Sequence, residues 1–369
     1  MRGQHSDARK DDPLTPFAFI IHPINARDVA RKYAIAKYLP DGIIEEFIKR
    51  KRPMVVSEVR GVRSKTGATT EGWLVGCPLT PRLMTSKLPL EFVYERIGQA
   101  VQIAHDVGAK IVGLGAYTSV VGDGGVTIAE RAPIAVTTGN SYTVATAIQG
   151  TTEALRRLDV DPRASVLAVV GATGSIGRTC ALCLGPQFGS TLLVGRNRER
   201  TEEIAAEVPR STATVDVGAI TAADAIITVT STDSAVIEPE HLKPGCVVCD
   251  VARPRDVSVR VAKTRNDVLV IEGGVVAVPG DVDFGLNFGF PPKTAYACMS
   301  ETMMLALENR AESYTLGKTV SVEQVEETIR LADKHGFHLA GFRSFERPVS
   351  DEDIERVRGF VRAGQKAKG

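Results

Sequence analysis

The chain has 369 residues, 43% hydrophobic and 24% charged, which is enough for two domains with their own cores and is not the composition of a disordered or fibrous protein. With 45 basic against 44 acidic side chains, the net charge of +1 offers nothing to a polyanion and disfavours nucleic acid as a partner. No apolar run reaches the roughly 18 residues of a membrane span, and the polar start "MRGQHSDARKDDPLTP" has no signal-peptide pattern, so a cytoplasmic protein with a disordered tail over 1–16 is expected.

In chain order, "FAFIIHP" (17–23) reads as a strand and "ARDVARKYAIAKYL" (26–39) as a helix. "PMVVSEVRGV" and "TEGWLVGCPL" form a hairpin around "RSKTGAT", and "LEFVYERIGQAVQIAHDVG" has helical amphipathic spacing. "KIVGLGAYTSV" is a buried strand running into a turn, so the first sheet is mixed. "SYTVATAIQGTTEALRRLDV" is a helix leading into the second domain, with a bend expected near Gly150.

From Ser165 the runs "SVLAVVG", "TLLVGRN", "STATVDV", "AIITVTS", "CVVCDVA" and "VLVIEGG" are apolar almost throughout, as strands covered on both faces of a parallel sheet are. After Pro292 the pattern is helical over 294–310, over 322–335 with Ser321 and Gln324 as a capping box, and over 351–364. The fold class is therefore α/β. A smaller N-terminal α/β domain with a mixed sheet (17–158) is followed by a Rossmann doubly wound domain (159–290), and C-terminal helices (291–369) pack back across the cleft.

In "VLAVVGATGSIGRTCALCLG" the glycines Gly171, Gly174 and Gly177 lie between a strand and a helix. Glycines there let the backbone approach a pyrophosphate, with Thr173, Ser175 and Ile176 completing the loop and the helix N-terminus facing the negative charge. The second strand ends in Arg196, Asn197 and Arg198 where an acidic residue would select NAD, so the pattern favours NADPH over a merely solvated basic turn. By topology, "TVTSTDS" (228–234) with Thr230 and Ser231, and "EGGVV" (272–276) with Gly273 and Gly274, line the nicotinamide ribose.

Two CxxC pairs, Cys180 with Cys183 and Cys246 with Cys249, invite a zinc reading. The second pair sits in a strand where residues three apart face opposite ways, so both pairs read as buried small hydrophobes and no metal is expected. Cys298, in "PPKTAYACMSETMML", is different. Pro291, Pro292 and Thr294 favour a helix start just ahead of it, and first-turn amides, with Lys293 nearby, would lower a thiol pKa. Nucleophile and core filler are both open on these grounds.

The stretches "VVGATGSIGRTC", "TTGNSYTVA", "LGAYTSVV", "IEGGVV" and "YACMSETMML", together with "FAFIIHPINARDVAR" and "KHGFHLAGF", resemble the long-chain acyl-[acyl-carrier-protein] reductases of cyanobacteria and their bacterial relatives, in order and over nearly all the chain beyond residue 16. The resemblance implies that Cys298 accepts the acyl group of a fatty acyl thioester and that NADPH reduces the acyl-enzyme to a fatty aldehyde. The tetrahedral oxyanions need donors, for which Tyr117, Thr118, Ser119 and Asn140 are candidates, and His22 is a candidate acid or base whose competing reading is a satisfied structural histidine. The glycine-rich "VVGDGGVTIAERAP" and the tract "VPGDVDFGLNFGFPPK" depart from the family pattern, which leaves acyl length and carrier open between acyl carrier protein and CoA. Lys49, Arg50, Lys51 and Arg52 offer basic surface to an acidic carrier, with a solvated face as the plainer reading. An aldehyde-consuming enzyme is a further possible partner, and membrane contact is at most transient. The competing functions are a shikimate/quinate-type NADP dehydrogenase and a non-catalytic NADP-binding sensor, neither of which would use Cys298.

Overall fold

The structure is a computed structural model describing residues 15–26, 28, 38–232, 234–287 and 289–366. Most of the helix expected over 26–39 and most of the expected tail lie outside these residues. Where the tail meets the described chain it is tied down: buried Thr15 donates to Asn309 at 2.8 Å, and its carbonyl accepts from Thr70 at 2.9 Å.

The first sheet takes β1 (Phe17–Ile21), β2 (Met54–Arg63), β3 (Thr69–Gly76), β4 (Ile111–Leu114) and β5 (Ala135–Thr137). β2 and β3 are the expected antiparallel hairpin, while β1 pairs in parallel with β3 and β4, and β4 in parallel with β5. The sheet is mixed, as its sequence indicates. One face carries α1 (Asp41–Lys49) and α2 (Leu90–Asp106) over a core that includes Ile20, Val75, Val93, Ile97 and Leu114.

The short α3 (Val126–Arg131) precedes β5, and α4 (Asn140–Arg157) then leads into the second domain. It runs unbroken through Gly150, so the expected bend is not seen; eleven of its residues are buried, and packing on both sides holds the turn that glycine alone would weaken.

The six apolar runs become β6 (Val166–Val170), β7 (Ser190–Val194), β8 (Ser211–Thr214), β9 (Ala225–Thr228), β10 (Val247–Asp250) and β11 (Leu269–Glu272). All are parallel, in the order β11-β10-β9-β6-β7-β8, the doubly wound arrangement with its crossover between β6 and β9. Between them run α5 (Ser175–Leu184), α6 (Arg198–Glu207) and α7 (Val259–Thr264).

The chain leaves this sheet earlier than the expected boundary at 290. β12 (Val275–Ala277) pairs with β14 (Thr294–Tyr296), and β13 (Gly280–Asp283) crosses to pair with β2 at the edge of the first sheet. The strand pairing of Thr294–Tyr296 also corrects the expected helix at 294–310: Thr294 caps nothing, and α8 begins at Ala297 with Tyr296 as its N-cap. α8 (Ala297–Leu307) is buried on all sides except at Cys298, as a helix apolar all round should be, and lies against β1, β3, β4 and α4. α9 (Val322–His335) has the Ser321 and Gln324 capping box, β15 (His338–Leu339) pairs with β12, and α10 (Asp351–Lys366) ends the described chain. One continuous core, including Phe19, Tyr142, Val169, Cys249 and Met303, therefore joins the inner faces of both sheets through α4 and α8.

Candidate active site

A cleft of about 1020 Å³ opens between the two sheets, lined from the N-terminal side by His22, Tyr117, Ser119 and Asn140, from the Rossmann side by Ile176, Thr230, Ser231, Gly273 and Gly274, and from α8 by Cys298. It forms where strands β1, β4, β6 and β9 all present their C-terminal ends.

Cys298 is the second residue of α8, and Ala297 before it is anchored by its N–H to the carbonyl of Gly274 at 2.7 Å. The "EGGVV" turn thereby sets where the helix starts. Burial, with the charge of Glu301, pushes the thiol pKa up to about 12, against smaller lowering effects of the main-chain amides of Met299 and Ala116. In the free protein desolvation thus opposes the helix-terminus effect expected from the sequence. Lys293 does not contribute, since its ammonium pairs with Asp281 at 2.8 Å.

Gly139, at the N-cap of α4 with φ +71°, lies flat against this point: a Cβ there would sit 2.3 Å from the Cα of Cys298. Only glycine lets the two helix starts approach so closely. Beneath them is a residue the sequence reading missed, Glu301, fully buried, whose carboxylate accepts from Thr137 (2.6 Å), Ser141 (2.5 Å), Thr315 (2.9 Å) and the N–H of Tyr142 (3.0 Å). A lone carboxylate inside an otherwise apolar helix was the available signal.

The other predicted residues divide. Asn140 spans the domains, its amide 3.3 Å from the hydroxyl of Ser175. Tyr117 does so too, donating from its hydroxyl to the carbonyl of Ser231 at 2.7 Å. Thr118 and Ser119 spend their hydroxyls inside their own turn, on the carbonyls of Gly115 (2.8 Å) and Ala116 (2.6 Å), so they are not donors aimed at Cys298. His22 accepts from the N–H of Tyr117 at Nε2 (3.0 Å), and its Nδ1 faces the carbonyl of Pro23 (2.9 Å). Both ring nitrogens are thus engaged within the protein, while the ring also lines the cleft.

Burial lowers the His22 pKa to about 4, against smaller raising effects of the Pro23 carbonyl and Asp28. A depressed folded-state value means that protons bind the unfolded chain more readily, so this residue's contribution is full above pH 6.5 and is lost as pH falls towards 4, by at most roughly 3 kcal/mol. Urea unfolding at pH 7 and pH 4.5 is expected to show a smaller acid loss in His22→Gln than in the unsubstituted protein.

The glycine loop fits a dinucleotide. Gly171 has φ +86°, and a Cβ at Gly177 would stand 2.3 Å from the Gly171 carbonyl, so the helix is drawn onto the loop. No side chain caps the start of α5 at Gly174, which leaves its first amides to face a pyrophosphate. Gly177→Ala should therefore weaken NADPH binding by at least about tenfold and cost about 1–3 kcal/mol of stability, measurable by fluorescence titration and urea unfolding. In the basic turn, Arg196 is exposed and Arg198 lies 3.7 Å from Glu202. Asn197 instead caps α6, accepting from the Arg200 N–H at 3.0 Å. Thr230 is also committed: its hydroxyl and N–H go to buried Asp256 at 2.5 and 2.8 Å, which fixes the loop but takes the hydroxyl from a ribose. Thr173 stays beside the basic turn, its methyl 3.1 Å from where a Gly195 Cβ would stand.

Cys180, Cys246 and Cys249 are buried, as expected of small hydrophobes, while Cys183 is half-exposed. Of the basic run, Lys49 and Arg50 pair with Glu46 at 2.5 and 2.9 Å, whereas Lys51 and Arg52 line the cleft. Among the described residues no helix is long and apolar enough to cross a membrane.

The geometry defines a nicotinamide-dinucleotide domain joined across a cleft to a cysteine-bearing partner domain. Residues 153–272 match the family model for shikimate / quinate 5-dehydrogenase, a span that runs from within α4 to the end of β11 and leaves out Cys298. The chain is 27% identical over 328 residues to the long-chain acyl-[acyl-carrier-protein] reductase of Synechococcus elongatus, covering 85% of this chain and 94% of that one. It is 29% identical over 361 residues to aminotransferase PigE of a Serratia species, covering 93% of this chain but only 42% of that protein. Among solved structures, the A chain of dipicolinate synthase from Bacillus subtilis aligns with 71% of this chain and 89% of its own at 15% identity, with a TM-score of 0.34. The similarity to the acyl reductase spans both domains, as the motifs indicate, and with the dinucleotide domain it supports an NADPH-dependent reductase.

Proposed function

We propose that this protein reduces a fatty acyl thioester, presented on acyl carrier protein or CoA, to a fatty aldehyde through an acyl thioester on Cys298. The observation that carries the reading is the position of Cys298, at the start of α8 in the cleft shared with the dinucleotide domain. Every other residue of α8 is buried, so Cys298 is where that helix meets the cleft.

The Cys298 sulfur attacks the acyl carbon, a new C–S bond forms, and the bond from that carbon to the carrier sulfur breaks. The thiolate is the nucleophile, so the Cys298 proton leaves as the sulfur attacks, and in the net exchange one proton returns to the departing carrier sulfur. Burial, which raises the thiol pKa, works against that step, and the helix-start amide of Met299 works for it. When bound, NADPH supplies the hydride that reduces the acyl group to the aldehyde. The C–S bond to Cys298 breaks in that reduction, and its sulfur leaves as thiolate and takes a proton from solvent in the cleft. Asn140 and Tyr117 hold the two walls in register, and Gly139 fixes the distance between the two helix starts. Lys51 and Arg52 at the cleft offer positive charge to an acidic carrier.

Intact-protein mass after incubation with a long-chain acyl-CoA in the absence of NADPH tests this. The expected result is one acyl adduct, lost in Cys298→Ala and discharged on adding NADPH. No adduct at any chain length, with turnover of shikimate or quinate instead, would move the assignment to the dehydrogenase whose family model matches residues 153–272.

A further inference from the structure

We infer that Tyr117, a residue of the N-terminal domain, is a positioning residue for the cofactor: its hydroxyl clasps the loop after β9 in the form that receives the nicotinamide half of NADPH. The role needs the dinucleotide cleft but not the acyl chemistry on Cys298. A dinucleotide with its pyrophosphate on the start of α5 and its 2′-phosphate end at the turn after β7 has its nicotinamide half on the other side of the crossover, at the loop after β9. Val229, Thr230 and Ser231 of that loop line the same cleft as Cys298.

The near end of the loop is braced by its own domain. Asp256 accepts from the Thr228 hydroxyl at 2.6 Å and from the Thr230 N–H at 2.8 Å, and a Cβ at Gly171 would meet the Val229 carbonyl at 2.6 Å. The far end is held differently. The carbonyls of Ser231 and Thr232 bond no main-chain N–H among the described residues, and the Tyr117 hydroxyl donates to them from across the cleft, at 2.7 and 3.2 Å. Tyr117 suits the task because its own place is fixed. It is buried in the turn Ala116–Ser119 after β4, with its N–H on Nε2 of His22 at 3.0 Å and its carbonyl accepting from Val120 and Val121 at 3.1 and 3.0 Å. A hydroxyl on so well held a ring sets the position of the loop rather than following it. The 2′-phosphate end has no such tie: among the described residues, no hydrogen bond joins residues 15–139 to the turn at 195–198. Losing the clasp therefore acts on one half of the cofactor.

Calorimetric titration of Tyr117→Phe with two ligands separates the halves. NADPH reaches the clasped loop, whereas adenosine 2′,5′-bisphosphate carries the adenosine with its 2′-phosphate and has no nicotinamide. The variant keeps the ring and removes the hydroxyl, and it is expected to bind NADPH about tenfold more weakly, the worth of one hydrogen bond. The bisphosphate should bind it as tightly as it binds the unsubstituted protein, which also shows that the Rossmann domain is folded. Unchanged NADPH affinity in the variant, equal weakening of both ligands, or NADPH binding the unsubstituted protein no more tightly than the bisphosphate overturns the assignment to Tyr117. No acyl substrate enters these titrations, so each of those outcomes leaves the acyl-transfer reading to its own adduct experiment.

Discussion

Replacing Cys298 by alanine is expected to lower the turnover of acyl thioesters by on the order of 10⁴–10⁶-fold, as removing a covalent nucleophile does elsewhere, while NADPH binds as before. The separation of effects follows from where the residue stands. The loop that would hold the pyrophosphate, from Gly171 to Gly177, lies across the cleft in a different domain, and Cys298 makes no hydrogen bond to it among the described residues. The structural cost is small because the change removes only a sulfur facing the cleft, and the backbone contact of Cys298 with Gly139 is kept. Steady-state rates with acyl-CoA, with NADPH titrated by fluorescence, check it. Equal loss of turnover and cofactor binding would mean that Cys298 packs the cleft rather than reacts in it.

The Rossmann half was legible in the sequence because its strands are covered on both faces and so read as apolar runs, and because a glycine loop follows the first of them. The mixed first sheet was legible for a similar reason, its hairpin being a local signal. What the sequence did not show were the long-range pairings. β13 reaches back more than two hundred residues to join β2, and β14 turns the start of the expected helix into a strand. Neither leaves a periodic trace, since each strand is only three or four residues long. In the site, Cys298 and Asn140 could be named from motifs, but the hydroxyls of Ser119, Thr118 and Thr230 looked available, whereas the first two bond carbonyls of their own turn and the third bonds buried Asp256. His22 was read with two roles open, and only the structure shows its partners, the Pro23 carbonyl and the Tyr117 N–H.

Glu301 carries the second large effect. Its carboxylate stands where α8, the start of α4, β5 and the Thr315 segment converge, and all four partners are donors. Glu301→Ala would take the acceptor from the buried hydroxyls of Thr137 and Ser141 and the Tyr142 N–H, and leave Thr315 only the Ser141 hydroxyl at 3.1 Å. At about 1–3 kcal/mol for each group that finds no other partner, a loss of roughly 4 kcal/mol or more is expected, enough to unfold much of the protein. Glu301→Gln separates structure from charge. Its oxygen keeps the bonds from Ser141 and the Tyr142 N–H, and its NH₂ faces the hydroxyls of Thr137 and Thr315, which can rotate to accept. That variant should lose only about 1–2 kcal/mol in urea unfolding. It also removes the negative charge that helps to raise the Cys298 pKa, so the pH midpoint for alkylation of Cys298 should move down from its value in the unsubstituted protein. A midpoint that stays put in a folded Glu301→Gln variant would mean that burial alone holds the thiol protonated. A downward shift would mean that the carboxylate which pins the two helix starts also helps to hold the proton on the Cys298 thiol.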